Sequence, residues 1–222
     1  MKIAVCISGL TRKNPEIHCN KIKSVFPNAD FYYHTWNGRK YPNEFNVLTS
    51  PEPTVNYHPI LDTNQNKSTK LEWYRKNKKN IPSKQLNATK QILAHKFLVC
   101  QLEKKYDIII RTRWDAQISN NIDYAPYLEM AYDVGPVGFM TRFLKKDNIN
   151  KLRVLEKNKS ETNWYCYLPD VLIMHKPEHF DTEYVETLHK NKQLLPAEWG
   201  WYQTMSEPYG DIHTSIRGGV GA

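Results

Sequence analysis

Several things the sequence lacks narrow the field before any motif is read. Its 222 residues hold no apolar run long enough to span a bilayer, and the N-terminus has a strand pattern, not that of a basic, apolar and small-residue leader. Four cysteines, Cys6, Cys19, Cys100 and Cys166, lie far apart with no CxxC pair and no histidine at metal-ligand spacing. That argues against zinc fingers and disulfide frameworks and fits reduced thiols in a cytoplasmic compartment. There is no internal repeat and no recognised RNA- or DNA-binding pattern. The formal net charge of +8 therefore reads as lysine-rich surface and a basic cleft for anionic small molecules such as nucleoside diphosphates, with no nucleic-acid partner. At this length one domain over residues 1–222 is expected, whether the chain is whole or the N-terminal part of a longer protein.

What is present is an alternation of buried strands and helices. Residues 2–8 form a continuous apolar run ending at Gly9, the pattern of a strand covered on both faces in a mainly parallel sheet. Pro15 is placed to start a helix with Ile17, Ile22, Val25 and Phe26 inward, stopped by Pro27-Asn28. Asp30 to Trp36 reads as a second strand, rich in aromatics and closed by Asn37-Gly38. A third short strand is expected around Val55 to Ile60, and Asp62 to Ile81 reads as a long polar loop or lid. Ser83 is a good N-cap for a helix over about 83–104. Its broad apolar face is expected to carry Leu86, Leu93, Phe97 and Cys100, with Ile92 and Val99 beside them.

Tyr106 to Asp115 then runs three isoleucines into an abruptly charged end. Beyond it the pattern predicts a helix at 125–133, a strand at 135–141, a basic helical segment at 143–158 and a buried strand at 171–174. A helix at 177–190 opened by Pro177, one or two turns at 198–206 and a last strand near 212–216 follow. The opening order, strand, loop, helix, strand, is that of a nucleotide-binding α/β unit.

In open α/β sheets ligands collect beyond the carboxyl ends of the central strands. Three such ends are distinctive: Ser8-Gly9-Leu10-Thr11-Arg12, His34-Thr35-Trp36, and Arg111-Thr112-Arg113-Trp114-Asp115. At the first, Gly9 permits close backbone approach while Thr11 and Arg12 can donate to phosphate; a glycine turn with a solvated arginine is the plain alternative. At the second, Trp36 can stack on a base, against a core-packing role for most of the aromatics there and a satisfied structural role for His34. At the third, two arginines and a carboxylate closing a run of isoleucines are costly unless paired or functional. Asp115 can supply an oxygen ligand to a hard divalent cation that bridges a diphosphate, with Arg111 or Arg113 sharing the neutralising task; an internal Arg–Asp ion pair is the alternative.

SGLTR after the first strand, HTW after the second, and a long helix followed by YDIIIRTRWD together resemble the GT-A-fold, nucleotide-sugar-dependent glycosyltransferases of large DNA viruses, phages and bacteria. The likeness covers most of the chain loosely and is most specific in YDIIIRTRWD. It implies a GT-A-type, Rossmann-like α/β fold with a mixed, mostly parallel sheet flanked by helices. It also implies transfer of a hexose or deoxyhexose, such as glucose or rhamnose, from a UDP-sugar to a glycan or glycoprotein acceptor, in the host cytoplasm for a viral enzyme. In that family a DxD motif holds Mn²⁺ or Mg²⁺; Asp115 matches its last acid, whereas Arg113 stands where the first would be. His213, with Asp211 behind it, is the implied further metal ligand. An inverting reaction needs a carboxylate to deprotonate the acceptor, for which Glu198 is chosen over Asp170. Glu198 sits beside Trp199 and Trp201, which suit either a carbohydrate platform or the core. Two other readings stay open: a non-catalytic nucleotide- or glycan-binding module, and a sugar nucleotidyltransferase, for which Ser8 to Arg12 is too short and glycine-poor.

Overall fold

The structure, a computed structural model, describes residues 1–8, 15–36, 46–53, 58–59, 81–113, 116, 118, 123–133, 135–139, 172–191, 193–194, 201 and 204–205. Along these the chain runs β1 (Ile3–Ile7), α1 (Pro15–Val25), β2 (Asp30–Trp36), β3 (Asn46–Ser50), β4 (His58–Pro59), α2 (Ile81–Leu102) and β5 (Ile108–Thr112). It continues through α3 (Ala125–Asp133), β6 (Val137–Phe139), β7 (Leu172–His175), a 3₁₀ turn (Pro177–His179), α4 (Thr182–Lys190) and β8 (Gln193–Leu194). Six strands form one sheet in the order β3-β2-β1-β5-β7-β6, and β4 and β8 form a separate parallel ladder. Within the large sheet β3, β2, β1 and β5 are parallel, and β7 is reversed between β5 and β6.

The apolar runs are explained by this arrangement. Successive strand residues face opposite sides, so β1 sends Val5 and Ile7 into one core and Ala4 and Cys6 into the other. β5 divides Ile108 and Ile110 from Ile109 in the same way. A strand buried on both faces has no polar side to show, hence continuous apolar sequence. The first core is roofed by Cys19 and Ile22 of α1 and by Tyr127 and Ala131 of α3. The second is roofed by Ile92, Leu98, Val99 and Leu102 of α2 and by Val185 and Leu188 of α4. Burying each large aliphatic side chain contributes about 2 kcal/mol. Among the described residues no helix is long and apolar enough to cross a membrane.

Four sequence expectations need correction. Of the strand expected around 55–60 only His58–Pro59 lies among the described residues, as β4, while β3 is a true edge strand that reads poorly as one because only Leu48 and Ser50 of its five residues are half-buried. α2 begins at Ile81, so Ser83 falls inside its first turn instead of capping it. Its core stripe is Ala88, Ile92, His95, Val99 and Leu102, at alternating spacings of four and three, whereas Leu93 and Phe97 are half-buried and Cys100 is exposed. Finally, Pro177 opens only the 3₁₀ turn. Phe180 is held extended by an antiparallel bridge to Met205, and Asp181 N–H donates to Thr204 O at 2.7 Å. A fresh helix then starts at Thr182, with the Asp181 side chain accepting from Tyr184 N–H at 2.8 Å. The stretches 62–80, 143–158 and 212–216 lie outside the described residues.

Candidate functional site

Because β3, β2, β1 and β5 are parallel, their carboxyl ends share one edge. Ile7 lies opposite Tyr33 on one side and Thr112 on the other, and Trp36 lies opposite Ser50. Ser8 N–H donates to Thr112 O at 3.3 Å, so the first and third distinctive strand ends are hydrogen-bonded neighbours. The chain leaves β1 towards β2 on one side, while β7 and β6 lie beyond β5 on the other. The gap between β1 and β5 is thus the switch point at which open α/β sheets bind ligands. The reversed β7 enters from the same edge, with Leu172 opposite Thr112. Just past β5 the chain turns: Ala116 N–H donates to Arg113 O at 3.1 Å, and Ala116 and Ile118 anchor the segment in the first core. Asp115, Gly9, Thr11, Arg12, Asp170, Glu198 and His213 lie outside the described residues. No known protein-family model matches the chain, and no curated protein matches its sequence.

The expected site residues that the structure describes are distributed unequally. Ser8 sits at the edge, buried, its Oγ without a hydrogen-bond partner among the described residues. Arg113 is half-buried at the same edge. Arg111 has no solvent exposure: alternation puts it on the second-core side, under α2, where its Nη2 donates to Gln91 Oε1 and its Cζ lies 4.3 Å from the centre of the Trp201 ring. Trp201 is likewise fully buried, a core residue whose face is taken by a guanidinium, with no ring face left for a sugar. Among the described residues no three His, Cys, Asp or Glu side chains gather to hold a metal.

Beside Arg111 lies a histidine pair that sequence reading did not single out. His95 Nε2 and His175 Nε2 are 2.8 Å apart, and His175 Nδ1 is 2.6 Å from Lys176 O. A carbonyl only accepts, so His175 carries its proton on Nδ1 and takes the Nε2 proton of His95 as acceptor. Burial pushes His175 down to about 4 and holds His95 well below its ordinary 6.5, with the His175 and Arg111 charges adding to the effect on His95. Both stay neutral at pH 7, so that among the described residues of the cluster the formal charge is that of Arg111.

A cleft of about 670 Å³ opens at the ends of β2 and β3 and follows the outside of α2. Trp36 lines its mouth with Ser50 and residues 51–53; Leu93, Lys96, Phe97 and Cys100 form one wall, and Glu186 and His189 of α4 the other. Leu93, Phe97 and Cys100, which the sequence suggested were core, share this wall with Lys96 at i, i+3, i+4 and i+7 spacing. His34 braces the aromatic part from the sheet. Its Nε2 shares a hydrogen bond with Ser50 Oγ at 2.8 Å, and its ring meets Trp36 and Phe97 edge-on at 4.5 and 5.4 Å. Burial lowers His34 to about 4, so it serves as a neutral strut. Lys96 is ion-paired to Glu186 across the cleft, and Lys90, outside the lining, is ion-paired to Glu52 within it. Glu186 lies one turn from His189 in the sequence, but nothing in that spacing says the pair faces Lys96, 90 residues away.

Proposed function

We propose that the chain is a GT-A-type glycosyltransferase that moves a hexose or deoxyhexose, such as glucose or rhamnose, from a UDP-sugar to a glycan hydroxyl in the cytoplasm. The observation that carries this reading is the hydrogen-bonded meeting of the Ser8 and Thr112–Arg113 strand ends at the switch point of a mixed, mostly parallel sheet. As the sugar leaves, negative charge grows on the departing diphosphate and must be met at that edge. Mn²⁺ or Mg²⁺, held by Asp115 and His213, would supply Lewis-acid stabilisation of the leaving group. Arg113, half-buried at the edge, would share that task, and Arg111, enclosed beneath α2, would support the strand that carries it. The edge backbone, with Gly9, Thr11 and Arg12 following Ser8, would orient the phosphates.

For an inverting reaction Glu198 or Asp170 takes the acceptor's proton. Asp170 is two residues from Leu172, which pairs with Thr112 at the edge, and two residues span at most about 7 Å. Calorimetric titration of UDP and UDP-glucose with and without Mn²⁺ tests the assignment. Asp115→Ala is expected to weaken metal-dependent binding by about tenfold or more, the loss of roughly 1.4 kcal/mol; equal binding in that variant removes Asp115 from the role. The arginine at the first-acid position favours, as second reading, a binding module without turnover, and product analysis with donor plus glycan acceptor separates the two.

A further inference from the structure

The cleft outside α2 has a chemistry of its own. Among the described residues its lysines are already paired: Lys96 bonds Glu186, and neighbouring Lys90 bonds Glu52. A phosphate entering here would have to break an ion pair and then face Glu52 and Glu186, so the cleft disfavours anions. An apolar guest fares no better, because the Lys96 and Glu186 side chains remain 23% and 37% exposed, and covering them without hydrogen bonds is costly. What the walls do match is a neutral molecule with C–H faces and many hydroxyls. Trp36 and Phe97 offer half-buried rings, held in place by His34, while Glu186 and Glu52 accept and Lys96 donates. From Leu93 to Cys100 the wall runs about 10 Å at 1.5 Å per residue, leading away from the carboxyl edge along the helix.

We propose that this cleft binds a neutral carbohydrate, one or two pyranose rings, stacked on Phe97 and Trp36 and hydrogen-bonded to Lys96 and Glu186. Such a sugar is held without nucleotide or metal, and whether or not the edge takes a UDP-sugar.

The test uses the full chain and saturation-transfer NMR with methyl glucoside, methyl rhamnoside and maltose, with no nucleotide or metal present; UDP and indole serve as contrasts. Saccharide signals are expected at millimolar ligand. Phe97→Leu, which keeps bulk but removes the ring, and Glu186→Gln are each expected to weaken binding by about tenfold. Glu103→Gln, exposed beyond the end of α2, is expected to bind as wild type. Should Phe97→Leu fail to unfold cooperatively, Lys96→Met with Glu186→Gln carries the same test. Absence of saccharide signals from folded wild type, binding of indole or UDP in their place at this cleft, or unchanged affinity in the wall variants overturns the proposal. Because Asp115→Ala leaves this cleft intact, saccharide binding retained there with UDP binding lost keeps the two sites distinguishable.

Discussion

At the scale of single residues, Arg111 is the group whose position is hardest to guess and most informative once known. A guanidinium with no solvent exposure has to recover its hydration from the protein, and here Gln91 and the face of Trp201 take part in that recovery. Arg111→Ala is expected to lose about 3 kcal/mol, since it empties a volume roofed by Trp201. Arg111→Met, which refills the volume without the charge, is expected to stay within about 1 kcal/mol of wild type in urea unfolding. If Arg111→Met keeps its stability but abolishes UDP binding, Arg111 returns to the donor site. The sequence showed that charge erupts after three isoleucines, and so located the edge. Strand alternation alone gives 109 and 111 one face and 110 and 112 the other. That Arg111 is roofed by α2 depends on contacts 20 residues apart, which no local pattern carries.

Elements were legible where burial is one-sided or total, and not where two apolar stripes share a helix. β1, β2, β5 and α3 lie where periodicity put them, because their apolar residues have only one way to be covered. α2 is apolar over a wide arc, and its true core stripe sits beside the stripe that lines the cleft. The difference is measurable: Leu98→Ala, at a fully buried position, is expected to cost about 3 kcal/mol and Leu93→Ala, half-buried on the cleft, less than half of that. Equal losses would mean that the cleft wall is core. At the start of α4 two rules competed, proline at the first helical position and aspartate at the cap, and tertiary bridging of Phe180 to Met205 decided for the cap. Asp181→Ala is therefore expected to lower stability by about 1 kcal/mol, and Pro177→Ala much less. For the candidate site, the sequence located the strand ends that meet at the edge but not the cleft, whose walls come from elements as far apart in the chain as Trp36 and His189 and meet only after folding.

On the scale of the whole molecule, a sheet covered on both faces encloses polar groups as well as apolar ones, and four histidines are among them. His34 and His175 are held down to about 4, with His95 and His179 also below the ordinary 6.5, burial being the largest cause in each. The unfolded chain takes protons on these rings as pH falls through 6.5, while the native state resists until about 4 for His34 and His175. A depressed native value therefore favours the fold fully above 6.5, and the advantage is lost progressively below it. His34 and His175 would each forfeit about 3 kcal/mol by pH 4. No compensating acid among the described residues faces the His95–His175 pair: Arg111, Trp201 and Phe180 surround it, and the Arg111 charge opposes protonation. Urea midpoints recorded from pH 7.5 to 4.5 are expected to fall steeply below 6.5, and His34→Gln to flatten that fall by about one proton. A midpoint that stays level across this interval would mean that these rings find solvent or a counter-charge, and that the second core is open where the structure closes it.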